Sequence, residues 1–348
     1  MLDIDGTDGG GQILRTALSL SVVTDTPFRI AEVRRSRPTP GLQPQHLAAV
    51  ELAGACCGAD LDGVEVGADQ LEFVPGDDRE TTLNATIDTA GSLTLLFETM
   101  LPIGAVAPVP LTVHATGGTD VKWAPTMAYY RRVKLPLLAR FGLDATVDVR
   151  RHGYYPVGGG AATLETVPAS LSPLQLDERG PLEAVEVYSR ATDSLADQEV
   201  ADRQASHAAE RLRAAEYPVG VESVEYVPAD SPGSSLLVRG VYGRTLLGAD
   251  ALGERGRPSE RVADLAVEGF ERAHAASAPV DSHMADQLLV FLALVGGSVR
   301  LPTVTDHVRT NLRVLQAFGS DIELVETADG DPRVTATAHG GVAGAWPD

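Results

Sequence analysis

Lysine is almost missing from this chain. Lys122 and Lys134 are the only two, arginine supplies the rest of 28 basic residues, and 48 acidic residues bring the formal net charge to −20. Such a balance excludes a general polyanion-binding surface, so contact with nucleic acid requires arginines concentrated at one place. It suits a salt-rich cytoplasm, where self-repulsion is screened and hydrated carboxylates keep a chain dispersed, and predicts a halophilic, cytoplasmic setting. Cysteine is limited to the adjacent pair Cys56 and Cys57. That excludes a disulfide framework and a cysteine zinc site, and reads as two small buried hydrophobes in a helix. Apolar runs of the roughly 18–20 residues needed to span a bilayer are lacking, so no membrane association is expected. The acidic start, Met1 to Asp5, has no basic n-region, and no secretory signal is expected.

What is present is enough for a packed interior. Hydrophobic residues make up 44% of 348, a length that calls for two or more domains. Three stretches open on small or polar residues and continue as buried-helix patterns: Gly9 to about Val23, Ala90 to about Ile103, and Asp281 to Val295. Each is followed, after a strand-like segment, by a second amphipathic helix: Pro44–Cys57, Thr126–Phe141 and His307–Phe318. Strand-like pairs come next, at Gly63–Val74, Ala145–Thr166 and Ile322–Thr337. The pattern predicts an α/β (α+β) fold of three repeated small units, each a sheet with helices on one face. Between the second and third lies a different order: a strand at Leu182–Ser189, a helix at Leu195–Glu216, strands at Val221–Val227 and Ser234–Tyr242, and a helix at Ser259–Ala276. We expect residues 1–181 to hold units one and two, 182–276 an inserted β-α-β-β-α domain, and 277–348 the third unit.

Five clusters could carry chemistry. Asp8, Gly9, Gly10 and Gly11, with Gln12 and Arg15, form a glycine turn into a helix, where backbone N–H groups can approach a phosphate. A plain strand-to-helix turn is the alternative. Arg34, Arg35 and Arg37 sit at a strand's end before a Pro/Gly turn leading to Gln45 and His46. Guanidinium forks bind phosphate, though a solvated strand end is the bland explanation. Gly117 to Asp120 and Trp123 to Pro125 make a loop whose chemistry is not readable alone. Tyr129 and Tyr130 follow at helical spacing and read as core, and Arg150 to Pro156 with Gly158 to Gly160 add a basic, glycine-rich segment. Asp286 and Gln287 begin an apolar helix, as ligands or mere caps. His307 stands at the start of the third unit's second helix. A histidine there meets the positive end of the helix dipole, which favours the neutral imidazole a nucleophile requires. His46 holds the equivalent place in unit one, so position alone does not single out His307, and a structural histidine remains open.

Taken together and in order, several of these segments resemble the RNA 3′-terminal phosphate cyclase family. They are Asp5-Gly6 with Gly9 to Arg15, Arg37 with Pro40 to Leu42 and Gln45-His46, Gly117 to Asp120, Gly153 to Pro156 with Gly158 to Gly160, Ala285 to Leu288, and Asp306 to Asn311. The match runs from about residue 3 to residue 337 with compatible spacing. The resemblance implies three repeated α/β units plus an inserted small α/β domain. It implies that His307 attacks the α-phosphorus of ATP, that AMP passes from the histidine to an RNA 3′-phosphate, and that the neighbouring 2′-hydroxyl closes a 2′,3′-cyclic phosphate. Asp286, Gln287, His283, Pro125, Arg15 and Gln12 then match nucleotide-site positions. Arg15, Arg34, Arg37, Gln45 and His46 match positions lining the phosphate and RNA-end pocket. A divalent metal, Mg²⁺ or Mn²⁺, falls to Asp8, and a homodimer is compatible with the family.

The chain departs from the family pattern in places. Asp8 stands where a glutamate is usual, in a loop about two residues shorter, and its carboxylate reaches one methylene less. Ala128 and Thr126 stand where an aspartate and a second proline are common, and Val157 where a basic residue is frequent. Two other readings compete. A non-catalytic RNA-binding relative of the same fold, active in ribosome biogenesis, would lack His307. An enolpyruvyl-transferase-like enzyme would carry lysine- and arginine-rich phosphate loops in two large domains.

Overall fold

The computed structural model describes residues 1–8, 10–326 and 331–340. Gly9 of the glycine turn, residues 327–330 of the last strand pair and residues 341–348 lie outside these. The first sheet is built from β1 (Leu2–Asp5), α1 (Gly10–Thr24), β2 (Phe28–Ala31), α2 (Pro44–Cys57), β3 (Asp60–Asp62) and β4 (Leu71–Val74). Its strand order is β1-β2-β4-β3, with β1 and β2 parallel and the other pairs antiparallel. The second sheet follows the same plan. β5 (Thr82–Thr86) and α3 (Leu93–Val106) precede β6 (Leu111–Gly117). A helical stretch then runs through α4 (Met127–Tyr129), a π-helical turn at Tyr130–Lys134 and α5 (Leu135–Ala139) to β7 (Asp144–Arg151) and β8 (Gly160–Val167). The order is β5-β6-β8-β7.

The third sheet begins earlier than the sequence pattern suggests. β9 (Leu174–Leu176) precedes the insert, yet it pairs in parallel with a strand beyond it. The insert itself comprises β10 (Leu182–Thr192), a 3₁₀ turn, α6 (Val200–Ala214), β11 (Val219–Val227), β12 (Ser234–Tyr242), β13 (Leu246–Leu252) and α7 (Ser259–Ala275). β13 is a strand more than the expected β-α-β-β-α order, and the first helix is broken at Glu199, which takes a left-handed conformation. The chain then returns through α8 (Met284–Gln287), α9 (Leu289–Val295), β14 (Gly297–Arg300), α10 (Asp306–Ala317), β15 (Ile322–Val325) and β16 (Arg333–Ala336). The order β15-β16-β14-β9, with only β9 and β14 parallel, is the arrangement of the first two sheets again.

Packing follows from the apolar helices. In α1, Leu14, Ala17, Leu18, Leu20 and Val22 are all fully buried, on every side of the helix. A helix apolar all round must be enclosed, and α1 is, by α2, α3 and α10. The helices therefore meet in one interior shared by three sheets, while Val187, Val238, Leu212 and Phe270 form a separate core inside the insert. Cys56, Cys57, Tyr129 and Tyr130 are buried in the main core, and the cysteines are free thiols. Among the described residues, no helix is long and apolar enough to cross a membrane.

Candidate active site

The N-terminal halves of α1 and α10 are stitched to α8 by polar side chains. Gln12 on α1 donates its amide N–H to Asp286 Oδ2 on α8 at 2.6 Å. Asn311 on α10 donates to the Asp286 carbonyl at 3.0 Å and accepts from Thr16 of α1 at 2.8 Å. His307 lies one turn before Asn311, exposed, in the first turn of a helix whose cap is Thr305: its hydroxyl accepts the Val308 N–H at 3.2 Å. Burial raises the Asp286 carboxyl, and the facing charges of His307 and His283 pull against it. The carboxylate and the exposed imidazole therefore sit within electrostatic reach of one another.

His46 is a different histidine, although the sequence places it alike. It is 4% exposed, and its Nδ1 accepts the Gln43 N–H at 3.0 Å, which closes the start of α2. Burial first, then the charges of Arg15 and Arg34, push its pKa down to about 3. Its Nε2 reaches so close to α1 that a Cβ on Gly11 would stand 2.4 Å from it. Glycine at that position is a packing requirement, and the neutral ring is wedged against the helix start.

The arginines divide by partner. Arg34 adopts φ +55°, and its guanidinium ties the loop by donating to the carbonyls of Thr39 at 2.8 Å and Gly41 at 3.0 Å. β2 ends at Ala31, so Arg34, Arg35 and Arg37 lie in turns and not along a strand. Arg37 is exposed, and its Nη2 would lie 3.3 Å from a Cβ on Gly10, whose own φ is +60°. It therefore overhangs the start of α1. Burial lowers the Arg15 pKa against the opposing pull of Glu98 and Asp286. Among the described residues, none of Arg15, Arg34 and Arg37 has a carboxylate within 4.0 Å, while Arg35 is taken up by Glu32 at 2.5 Å. Gln45 is committed to structure: its side-chain Oε1 accepts the N–H of Ser92, the cap of α3, at 3.3 Å.

The remaining expected residues are His283, Pro125 and Asp8. His283 precedes that helix, exposed, with its ring edge-on to Tyr129 at 6.1 Å. Pro125 is buried and its carbonyl accepts the Thr94 hydroxyl at 2.8 Å. Asp8 is exposed in a shallow groove with Asp3, Asp5, Thr310 and Arg313, one turn of α10 from His307. Among the described residues, no group of three or more His, Cys, Asp or Glu could hold an ion by itself. A hard cation held by one carboxylate plus substrate phosphate oxygens and water still fits that exposed carboxylate.

Several contributors escape a linear reading. Lys134 is fully buried in the π-helical turn, paired with Glu98 of α3, and donates to Gln287 Oε1 at 3.2 Å. Burial lowers its pKa and Glu98 opposes that. The available signals were a lysine in a chain with two, and a lone glutamate in the apolar run of α3. Asp281, also buried, gathers the Tyr129 hydroxyl at 2.7 Å, the Gly248 N–H at 2.9 Å and the Met284 N–H at 2.9 Å, so one carboxylate joins α8 to the insert and the second lobe. Asp250 of β13, which burial raises, accepts the Thr126 N–H at 2.8 Å.

Comparison with known proteins agrees with this picture. A family model described as RNA 3′-terminal phosphate cyclase matches residues 7–322. A protein of that name from Halobacterium salinarum is 44% identical over 338 residues, covering 94% of this chain and 97% of its own. Proteins of the same name from Thermococcus onnurineus and Hyperthermus butylicus are 39% and 38% identical, over 95% and 94% of this chain and 97% and 94% of their own. Among solved structures, the enolpyruvyl transferase NikO from Streptomyces tendae aligns over 96% of this chain and 48% of its own at 11% identity, with a TM-score of 0.37, and bears on neither fold nor function. With the family match spanning most of the chain, and relatives of that one name similar almost end to end, this chain belongs to the RNA 3′-terminal phosphate cyclase family.

Proposed function

We propose that this chain uses ATP to convert an RNA 3′-terminal phosphate into a 2′,3′-cyclic phosphate, with His307 as the carrier of AMP. One observation carries the reading: in a chain of net charge −20, Arg15, Arg34 and Arg37 cluster around the start of α1 and the buried His46 with no carboxylate within 4.0 Å among the described residues, and Gln12 of the same helix start bonds Asp286, whose carboxyl feels the exposed His307. Guanidinium groups so exempted are available to phosphates.

The chemistry divides into three displacements. A ring nitrogen of His307 attacks the α-phosphorus of ATP, forming a P–N bond as the bond to pyrophosphate breaks. A terminal oxygen of the RNA 3′-phosphate then attacks the same phosphorus and frees the histidine, leaving RNA joined to AMP through a new P–O–P bond. Finally the 2′-hydroxyl attacks the RNA phosphorus, its proton passes to solvent, and AMP leaves. Arg15 and Arg37 would neutralise charge that builds on the phosphates. Asp286, fixed by Gln12 and Asn311, would hold His307 in place through its field. A divalent ion on Asp8 would supply further neutralisation.

The test is direct. Incubate the protein with α-labelled ATP and Mg²⁺ or Mn²⁺ in high salt, and repeat with His307→Ala. Acid-labile protein-bound label is expected in the first and not in the second. Label that persists in the variant rejects His307 as carrier. Failure of the unaltered protein to take label under any metal or salt condition would favour a non-catalytic RNA-binding role.

A further inference from the structure

Among the described Phe, Tyr and Trp side chains, two stand exposed while the rest are buried or half-buried. Trp123 is 97% exposed and Tyr155 is 73% exposed. A tryptophan left in water forfeits the largest apolar burial of any side chain, and Trp123 also sits at φ +62°, a conformation unfavourable for so bulky a residue. Strain of this kind persists where neighbouring structure imposes it. Here the neighbours are visible. The Thr119 N–H bonds the Gly153 carbonyl at 2.8 Å, and Asp120 bridges Tyr154, so the Trp123 loop and the Tyr155 loop are joined at their bases.

The insert braces both loops from the other side. Lys122 pairs with Glu254 just beyond β13 at 2.9 Å, on the residue next to Trp123. Arg151 pairs with Asp230, and the Val157 N–H donates to the Ser231 hydroxyl at 3.2 Å, on either side of Tyr155. These contacts also neutralise the two insert carboxylates at the rim, which removes a repulsion that a polyanion would meet in a chain this acidic. Pro125, only two residues after Trp123, is tied to α3 through Thr94, and the Thr126 N–H beside it bonds Asp250, whose carboxyl feels the charge of His283.

We infer that Trp123 and Tyr155 form a stacking rim for the bases of a single-stranded RNA leading into the active site, and that the insert serves to hold this rim. The inference rests on the function proposed above and specifies how the strand upstream of the 3′-phosphate is gripped. The chemistry fits: every base has a π-face, so stacking is indifferent to sequence and is not coulombic, which suits a chain of net charge −20. Two rings on separate loops suit a strand of several bases better than the single base of ATP.

The experiment compares ligand lengths. Affinities of cytidine 3′-phosphate and of a 3′-phosphorylated oligocytidylate of about six residues are measured for the unaltered chain, Trp123→Ala, Trp123→Phe and Tyr155→Ala. The oligonucleotide should bind more tightly than the mononucleotide. Trp123→Ala should weaken the oligonucleotide by about 5- to 150-fold while leaving the mononucleotide nearly unchanged, and Trp123→Phe should restore most of the loss. The difference should persist when salt is raised. Equal losses on both ligands would overturn the inference, since Trp123 would then merely support the terminal-phosphate site. A loss that appears in ATP affinity instead would assign the ring to the nucleotide's base. A change in sedimentation with unaltered RNA affinity would assign it to a second copy of the chain. If the unaltered protein takes no label from ATP, the proposed reaction fails, yet the length comparison still decides whether the rim holds RNA.

Discussion

Charge is handled in opposite ways at the active-site helices and on the insert. Across α6 and α7, Arg203 meets Glu260 at 2.7 Å, Arg211 meets Asp264 at 2.7 Å and Glu271 at 3.5 Å, and Arg261 meets Glu268 at 2.9 Å. These pairs are substantially exposed, and each positive charge is consumed by its neighbour. By the opening turns of α1 and α2, the guanidinium groups of Arg15, Arg34 and Arg37 have no carboxylate within 4.0 Å among the described residues, although Glu98 and Asp286 act on Arg15 from farther away. The nearby ammonium of Lys134 is sealed away with Glu98. Residue type alone does not separate the two regions. What separates them is whether a counter-charge is built in, and a site meant for phosphate must leave that place open.

The largest effect expected from breaking this contrast lies at the buried pair. Lys134→Ala leaves Glu98 buried without its cation and should cost about 3–5 kcal/mol of unfolding free energy by denaturant titration. Lys134→Met combined with Glu98→Leu should recover most of that loss, because neither charge is then stranded. Next comes Arg37→Ala. Loss of one charge-assisted contact, worth about 1.5–3 kcal/mol, should lower kcat/KM for a 3′-phosphorylated RNA by roughly 10- to 150-fold. The salt slope of RNA binding should also flatten by about 0.7–0.9. An unchanged salt slope would show that Arg37 touches no phosphate.

His46 gives a pH signature of intermediate size. Its folded pKa is pushed to about 3, below the ordinary histidine value of about 6.5, so between those values the unfolded chain binds more protons than the folded one. The stabilisation is complete above the unfolded value and is lost as pH falls toward the folded one. This group should contribute a stability slope of up to about 1.4 kcal/mol per pH unit in that window. His46→Gln should remove that contribution, and an identical pH profile in the variant would show that His46 is not buried neutral. The smallest effect belongs to the insert: Arg203→Ala should change stability by about 0–1 kcal/mol and leave adenylylation untouched.

How much of this was legible beforehand varies with sequence distance. Local signals worked: Pro44 at the first turn and Gly58 in the left-handed conformation beyond the end bound α2 as expected. The two histidines were not separable, since both open a second helix. Their difference arises from packing: α1 presents Gly11 and Arg15 to one, whereas His307 faces solvent. Likewise Glu98 and Lys134, or Gln12 and Asp286, meet only through the fold. β9 was unreadable because three residues next to a proline turn carry no periodicity.

That short strand has a temporal consequence. Leu176 pairs with Val299 across the whole insert, whereas the first two sheets close over far shorter spans of chain. Closing the longer loop costs more entropy, and its far side emerges late in synthesis. The third lobe should therefore assemble last, after the insert has taken shape. α10 belongs to that lobe, so on the ribosome Arg15, Arg34 and Arg37 fold early and His307 takes its place late. Under the proposed reaction, a nascent chain then cannot charge itself with AMP until nearly everything that would use the AMP is in place.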